Sequence, residues 1–254
     1  MTMAEAIILA LTALLGHAMA LLWYLALRQN WPICRRRIYE LPVKPKQLRR
    51  ELINSVHTPM HALFLFGCLT MGWFSDRSPG GFAASLLITF VWAEIWHYAS
   101  HRAMHFRALH WIHAEHHKSH LNTPFTAISF SFTEKLVFDA GLLGALVLLD
   151  RVFALNFYGV ASWFIGYLII NSFSHANFEF RPVGYNKGPG RLLASTTYHA
   201  LHHSRYVGNY GLGTRVLDRL FGTEWTDYEE VYARITERRQ PLTGLRQKLG
   251  GEEG

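Results

Sequence analysis

The sequence predicts an all-α membrane protein: a polytopic helical bundle of four or five membrane segments under a histidine-rich cap on its cytoplasmic side. Three observations predict it. Half of the 254 residues are hydrophobic and only 17% are charged, against roughly a quarter in soluble domains. Several apolar runs approach the roughly 20 residues that a helix needs to cross a bilayer. The fifteen histidines, finally, are clustered: eight lie between His97 and His120, and three more at His199, His202 and His203, beside the ends of those runs. The formal charge of +7 would by itself admit nucleic acid. The basic residues sit beside apolar spans, however, where the positive-inside rule accounts for them, so no nucleic-acid partner is expected.

In chain order, Ala4 to Leu27 is nearly continuous apolar sequence and makes the first span. It is too long for a cleavable signal peptide and lacks a clear small-residue cleavage site. The stretch Arg28 to Arg50 carries eight basic residues against one acid, Glu40. Leu52 to Phe74 is a second span, weakened at its start by His57, Thr58 and Pro59. After a turn at Ser75 to Gly81, Phe82 to Tyr98 is a third, running straight into the first histidine cluster. Leu136–Leu149 and Phe153–Phe173 form a hairpin around Asp150 and Arg151, its first arm short enough to penetrate only part-way. From His175 the chain is polar and mixed in charge, and residues 240–254 read as a flexible tail. The basic stretch belongs on the cytoplasmic side of a bacterial inner membrane or the endoplasmic reticulum. Counting spans from it places His101–His120, His175 and His199–His203 on that same side. Span counting and histidine spacing are independent, so their agreement is an internal check. No repeat or domain boundary is visible, and residues 1–254 read as one integral-membrane domain whose motifs lie within 94–223.

The chemistry lies in three boxes: His101-Arg-Ala-Met-His105, His113-Ala-Glu-His116-His117 and His199-Ala-Leu-His202-His203. Positions i, i+3 and i+4 share a helix face, and neutral imidazole is the commonest protein metal ligand. Eight such nitrogens are too many for one four-coordinate zinc and enough for two metals. His97 lies on the face of His101 and His105 and is either a ligand or a donor that orients one; His110 and His120 are surface or supporting residues. A lone histidine is usually just a hydrogen-bonded polar group, and His17, His57, His61 and His110 are read that way. The boxes interleave with Trp96, Met104, Trp111 and Ile112, unlike a low-complexity histidine tract. Cys34 and Cys68 form no CxxC pair, and Glu94 and Glu115 are the only carboxylates within the first two boxes. All-imidazole sites suit iron, copper or zinc by ligand type. Two metals beside a lipid-facing cavity favour oxygen activation, because no side chain abstracts hydrogen from an unactivated C–H bond. No flavin or dinucleotide fingerprint is present, so electrons must come from another protein. Arg191, Arg205, Arg215 and Arg219 could dock an acidic carrier or meet anionic headgroups. The rival readings are a zinc-dependent membrane hydrolase or isomerase, which needs neither O2 nor reductant, and a non-enzymatic metal or haem carrier. The carrier would place its histidines at membrane depth.

Glu94-Ile-Trp-His-Tyr-Ala-Ser-His-Arg-Ala-Met-His105 resembles the first box of the fatty acid hydroxylase/sterol desaturase superfamily, in the form found in sterol methyl oxidases. His113-Ala-Glu-His-His-Lys-Ser-His-Leu-Asn-Thr-Pro-Phe125 resembles the second box of sterol C5-desaturase-like members. His199-Ala-Leu-His-His-Ser204, Asn209-Tyr-Gly211 and Leu217-Asp-Arg-Leu-Phe-Gly-Thr223 are similar to the family's ending. The resemblance implies a membrane di-iron enzyme that uses O2 and a separate cytochrome b5- or ferredoxin-like carrier to hydroxylate, desaturate or further oxidise a sterol or fatty-acyl lipid. It implies metal ligation by His101, His105, His113, His116, His117, His199, His202 and His203, and by His175 at an additional family position. Glu94 stands where many members have Asp, Ser131 where the C5-desaturase branch has His, and Leu217 where Trp is common; these departures leave subfamily and substrate open. No appended cytochrome b5 domain is expected before the first span.

Overall fold

A computed structural model describes residues 1–249 and is helical, with no strand among the described residues. Ten α-helices follow one another: α1 (Met3–Arg28), α2 (Pro45–Asn54), α3 (Met60–Thr70), α4 (Pro79–Met104), α5 (His110–His117), α6 (Phe132–Phe153), α7 (Phe157–Ser174), α8 (Thr196–Arg205), α9 (Val216–Leu220) and α10 (Tyr228–Thr236). Their starts are written locally. Thr2 and Glu5 form a capping box on α1, Ser78 with Pro79 opens α4, Ser131 caps α6, and the Asn156 side chain accepts from the amides of Tyr158 and Gly159 on α7. In each case a side-chain oxygen meets an amide that the first turn leaves without a partner.

Among the described residues, three stretches are long and apolar enough to cross a membrane: Met3–Arg28, Pro45–Thr70 and Pro79–Met104. The second begins inside the basic stretch, because Lys46, Arg49 and Arg50 ride on α2. It then passes through a 3-10 turn at Ser55–His57 into α3. The hairpin differs from its sequence reading. Its first arm, α6, has 22 residues, about 33 Å of helix, and is not short. Hydropathy hides its first turns, whose charges are met inside the protein: Lys135 Nζ lies 2.5 Å from Asp139 Oδ1, and Glu134 accepts from His113.

Packing sets the direction of each helix. Trp92 and Trp96 of α4 donate to the carbonyls of Leu142 and Phe138 on α6, so these two run antiparallel. Glu5 pairs with Arg77 at one end of the bundle, and Trp23 donates to Ser172 at the other. Thus α1, α4 and α7 run toward one end while α2–α3 and α6 return from it. That end carries the basic stretch, residues 105–131 and everything after Ser174. Leu65, Phe74, Leu142, Leu146, Phe157, Val160 and Phe164 fill the bundle's centre. Between helices in lipid, dense van der Waals contact and close backbone approach do the work that hydrophobicity does in water.

The cap has its own core of Ile38, Tyr39, Tyr198, Leu201, Tyr228, Val231, Tyr232, Ile235 and Leu242. Leu242 corrects the reading of 240–254 as a tail. It is fully buried, its amide donates to the Ile38 carbonyl at 2.7 Å, and its own carbonyl accepts from Glu40. Leu245 and Leu249 pack on the same core, since three apolar side chains in a polar stretch have a surface to cover. Gly250–Gly254, also assigned to the tail, lie outside the described residues.

Candidate metal centre

All nine histidines singled out in the sequence come together, in two groups. His101, His105, His113, His117 and His202 form one; His116, His175, His199 and His203 form the other; within each, the ring nitrogens that could hold a metal lie within 4.8 Å of one another. The last turn of α4 supplies His101 and its C-cap His105, and His175 is the C-cap of α7. Helix periodicity divides the remaining boxes between the groups. On α5, His113 and His117 are four apart and face the first group, while His116 is turned to the second. On α8 the pair four apart, His199 and His203, faces the second group and His202 the first.

Backbone carbonyls fix the proton on five of the nine rings. His101 Nδ1 donates to the Tyr210 carbonyl at 2.8 Å, His202 to Gly208 at 2.7 Å and His116 to Ser129 at 2.9 Å. His175 donates to Asn171 at 2.9 Å and His203 to Ser119 at 3.1 Å. A carbonyl oxygen only accepts, so in these five rings Nδ1 carries the hydrogen and Nε2 keeps its lone pair. His113 Nδ1 meets the Glu134 carboxylate at 2.7 Å, the carboxylate–histidine arrangement that raises a ligand's basicity. The motif around Asn209-Tyr-Gly211 now has a physical role. Asp218 accepts from the amides of Tyr210 and Gly211 and so holds the carbonyl that orients His101. Gly208, at φ +87°, approaches the Thr223 carbonyl where a Cβ would lie 2.6 Å away, and this aims its own carbonyl at His202. Glu94 accepts from the amide and hydroxyl of Thr214.

These side chains fit a metal on their hydrogen-bond accounts alone. His175 Nε2 and His203 Nε2 are 3.2 Å apart, and both rings have already committed their proton at Nδ1, so two lone pairs face each other. Protonation offers no escape, because burial depresses His175 to about 3 and His203 well below the usual histidine value. A cation between them turns that repulsion into two bonds. His175 Nε2 also lies 2.9 Å from His199 Nε2, and His202 Nε2 lies 3.0 Å from His117 Nε2; His199 and His117 have no acceptor at Nδ1, so in these pairs either tautomer of the second ring is open. His113 Nε2, His117 Nδ1, His199 Nδ1 and both nitrogens of His105 are buried without any hydrogen-bond partner, which is costly unless something else fills the role. Burial also pulls His116 to about 4, His105 to about 2, and His113, His117, His199 and His202 well below their ordinary value. All stay neutral, the form that coordinates.

The remaining histidines lie elsewhere. His97 joins neither group; its ring centroid is 5.2 Å from that of His101, and neither ring nitrogen has a partner. His110 bonds the Tyr206 hydroxyl, and His120 is exposed. His17, His57 and His61 each donate to a backbone carbonyl, of Ser55, Phe130 and Thr12. Two of the four arginines suggested for carrier docking are internal. Arg215 is fully buried between Glu224 and Glu229, and Arg205 is clamped on Asp227; each charge has its counter-ion inside the cap, leaving Arg191 and Arg219 nearer the surface. Sequence reasoning missed Glu134, whose only signal was the helix-start pattern Ser131-x-x-Glu134. It also missed Tyr206, at φ +79°, whose ring lies 4.8 Å from His117 and 5.2 Å from His105 and covers the first group. Below the groups lies an apolar chamber walled by Met104, Phe130, Phe138, Phe164, Leu168 and Leu212.

The sequence profile described as fatty acid hydroxylase matches residues 86–223, which contain both histidine groups. Among curated proteins, the chain is 31% identical over 163 residues to "Very-long-chain aldehyde decarbonylase GL1-6" of Oryza sativa, covering 58% of this chain and 24% of that protein. It is 28% identical over 219 residues to "Very-long-chain aldehyde decarbonylase CER1" of Arabidopsis thaliana, covering 80% of this chain and 34% of the relative. With "Methylsterol monooxygenase erg25B" of Aspergillus fumigatus it shares 31% identity over 143 residues, 56% of this chain and 48% of the relative. The chain thus spans between about a quarter and a half of the length of these relatives. No solved structure matches it.

Proposed function

This chain belongs to the fatty acid hydroxylase family, and from that premise we propose that it is an O2-dependent, di-iron lipid oxidoreductase that hydroxylates or desaturates a fatty-acyl or sterol lipid. The observation that carries this reading is the sorting of nine neutral imidazoles into two groups, lone pairs converging, above an apolar chamber. His101, His105, His113, His117 and His202 would hold one iron, and His116, His175, His199 and His203 the other. When bound, the iron pair supplies the oxidising power to break a C–H bond, using O2 and electrons from a separate carrier protein. The chain does the rest. Backbone carbonyls hold five rings in the Nδ1–H tautomer, and the buried Glu134 carboxyl accepts from His113 Nδ1. Tyr206 covers the first group, and the chamber's aromatic and aliphatic walls keep water from a reactive site and give a hydrocarbon its surroundings. Groups of five and four imidazoles exceed the three ligands of a zinc hydrolase, which supports the oxidative reading over hydrolysis. The names of the relatives support very-long-chain aldehydes or methylsterols as the substrate classes to try first. The eight basic residues of Arg28–Arg50 support a cytoplasmic cap, where the carrier would arrive.

The test is metal analysis of gently purified protein, followed by turnover with and without O2 and reductant. Two iron ions per chain and strict dependence on both are expected. Zinc can replace ferrous iron in an overexpressed sample, so metal identity is read after anaerobic iron loading. One metal or none in folded protein, or lipid conversion under anaerobiosis without reductant, overturns the proposal.

A further inference from the structure

Helices α4 and α7 run side by side toward the cap, and at Gly159 they touch. A Cβ there would lie 2.5 Å from the Phe82 carbonyl oxygen and 2.8 Å from the Ser85 Cβ. About two turns further along α7 they have parted, and a Cβ added at Gly166 meets nothing within 4 Å. The wedge between them is lined by Leu86, Phe90, Trp163, Gly166 and Ile170. Of these, Leu86, Phe90 and Ile170 are 36%, 41% and 43% exposed, on faces turned away from the bundle. The inner end of the wedge is walled by His97, Tyr167 and Leu212. The same three side chains also line the chamber that His101, His113, His116, His175 and His199 share. These three side chains therefore border both the outer cleft and the inner chamber.

We propose that the cleft is a lateral portal that takes a single unbranched hydrocarbon chain of a membrane lipid from the bilayer, between α4 and α7 and past His97, Tyr167 and Leu212, to the histidine groups. The proposal deepens the lipid-oxidoreductase reading by naming the shape of its substrate. Three features select that occupant. The walls are apolar and continuous with the membrane-facing surface, so a chain that slides in sideways never exposes its methylenes to water. The carboxylate in the cleft, Glu94, is already satisfied by the Thr214 amide at 2.8 Å and its hydroxyl at 2.5 Å, so no charge there calls for a polar ligand or for hydration. A wedge that closes where two helix backbones touch admits one file of methylenes, whereas a fused four-ring body would have to drive the helices apart against their packing.

The glycine that leaves the wedge open also provides the test. The full chain is reconstituted in phosphatidylcholine vesicles containing a trace of stearic acid with a terminal diazirine, irradiated, and its adducts mapped by peptide mass spectrometry. Adducts on Leu212 and Met104, which face the chamber, are expected in the wild type alongside lipid-surface adducts on Leu87. Gly166→Trp places an indole in the wedge, at a position where an added Cβ meets nothing within 4 Å. It should cut the Leu212 and Met104 adducts at least tenfold while leaving Leu87 labelling and bound metal unchanged. Gly166→Leu should give a smaller reduction and guards against a fold defect, since either residue favours helix over glycine. Gly144→Trp, on the exposed face of α6 where an added Cβ also meets nothing, should label like the wild type. Wild-type labelling of Leu212 and Met104 in Gly166→Trp overturns the portal. Heavier labelling of those residues by a diazirine-bearing sterol than by the acyl probe overturns the assignment of an unbranched chain. Labelling needs no iron, O2 or electrons, so a failure here and a failure of the oxidative reading are separately visible.

Discussion

Removing the Glu134 carboxylate should weaken the metal centre through a single ring. Glu134 and His113 are both 3% exposed, and Oε1 lies 2.7 Å from His113 Nδ1. In Glu134→Ala the His113 Nδ1–H loses its acceptor in a place water does not reach. An orphaned buried donor costs about 1–3 kcal/mol, and a tenfold change in affinity corresponds to about 1.4 kcal/mol. A loss of roughly 5- to 150-fold in metal affinity follows, which overlaps the 10- to 100-fold typical when a partner of a ligating histidine is removed. Glu134→Gln keeps a carbonyl oxygen for the same hydrogen bond, so its loss should be smaller than that of Glu134→Ala. The comparison is Glu115→Gln on α5, the helix of His113, where the carboxylate meets Arg50 at 3.4 Å and the exposed Lys118, a setting in which such pairs contribute about 0–1 kcal/mol. The assay is chelator competition on protein in lipid nanodiscs. Unchanged affinity in Glu134→Ala, or an equal loss in Glu115→Gln, would refute the role given to this carboxylate.

His116→Ala and His202→Ala should each abolish turnover and release metal, one from each group, while His17→Ala, which removes a bond to the Ser55 carbonyl, should keep full metal content; metal retained in His202→Ala breaks the assignment of that ring. Acid should destabilise the folded chain. An unfolded histidine titrates near 6.5, whereas burial holds His116 at about 4 and His175 at about 3. The unfolded state therefore takes up protons first, so stability is intact above pH of about 6.5 and is lost as the pH falls toward 4. Thermal unfolding monitored by circular dichroism over that range checks it, and a flat midpoint would count against buried neutral rings. Gly208→Ala should lose about 1–3 kcal/mol by forcing a side chain into the φ +87° conformation against the Thr223 carbonyl, and should weaken metal binding through His202; an unaltered metal affinity would mean the Gly208 carbonyl does not orient that ring. Cysteines placed at Glu40 and Leu245 should react with an impermeant thiol reagent from the same side of the membrane, because both positions lie at the histidine end of the bundle, and opposite-side labelling would overturn that topology.

Much of this site is local in origin and was therefore legible. A period of 3.6 residues decides which side chains share a helix face, so spacings such as His113-x-x-His116-His117 mark out imidazole clusters before any fold is known. Apolar runs likewise mark α1, α4 and α7, whose buried and lipid-facing sides are both hydrophobic. The basic stretch and the boxes could be placed at one end because each span reverses the chain. Local rules fail where the partner is distant. Hydropathy undercounts α6, since Lys135 and Asp139 neutralise each other inside the bundle. It also misreads 240–249 as a tail, since Leu242 finds its partners about two hundred residues earlier, at Ile38 and Glu40. Arg205 and Arg215 look like a docking surface until their acids fold against them.

The sequence by itself determined that many neutral imidazoles would gather at the membrane-proximal ends of helices, because spacing and hydropathy are properties of neighbouring residues. Only the tertiary structure decided which ring serves which group, which carbonyl holds each proton at Nδ1, that Glu134 backs His113, and that α4 and α7 part at Gly166. Those are contacts between segments far apart in the chain, set by how helices pack against one another, and no local pattern encodes them.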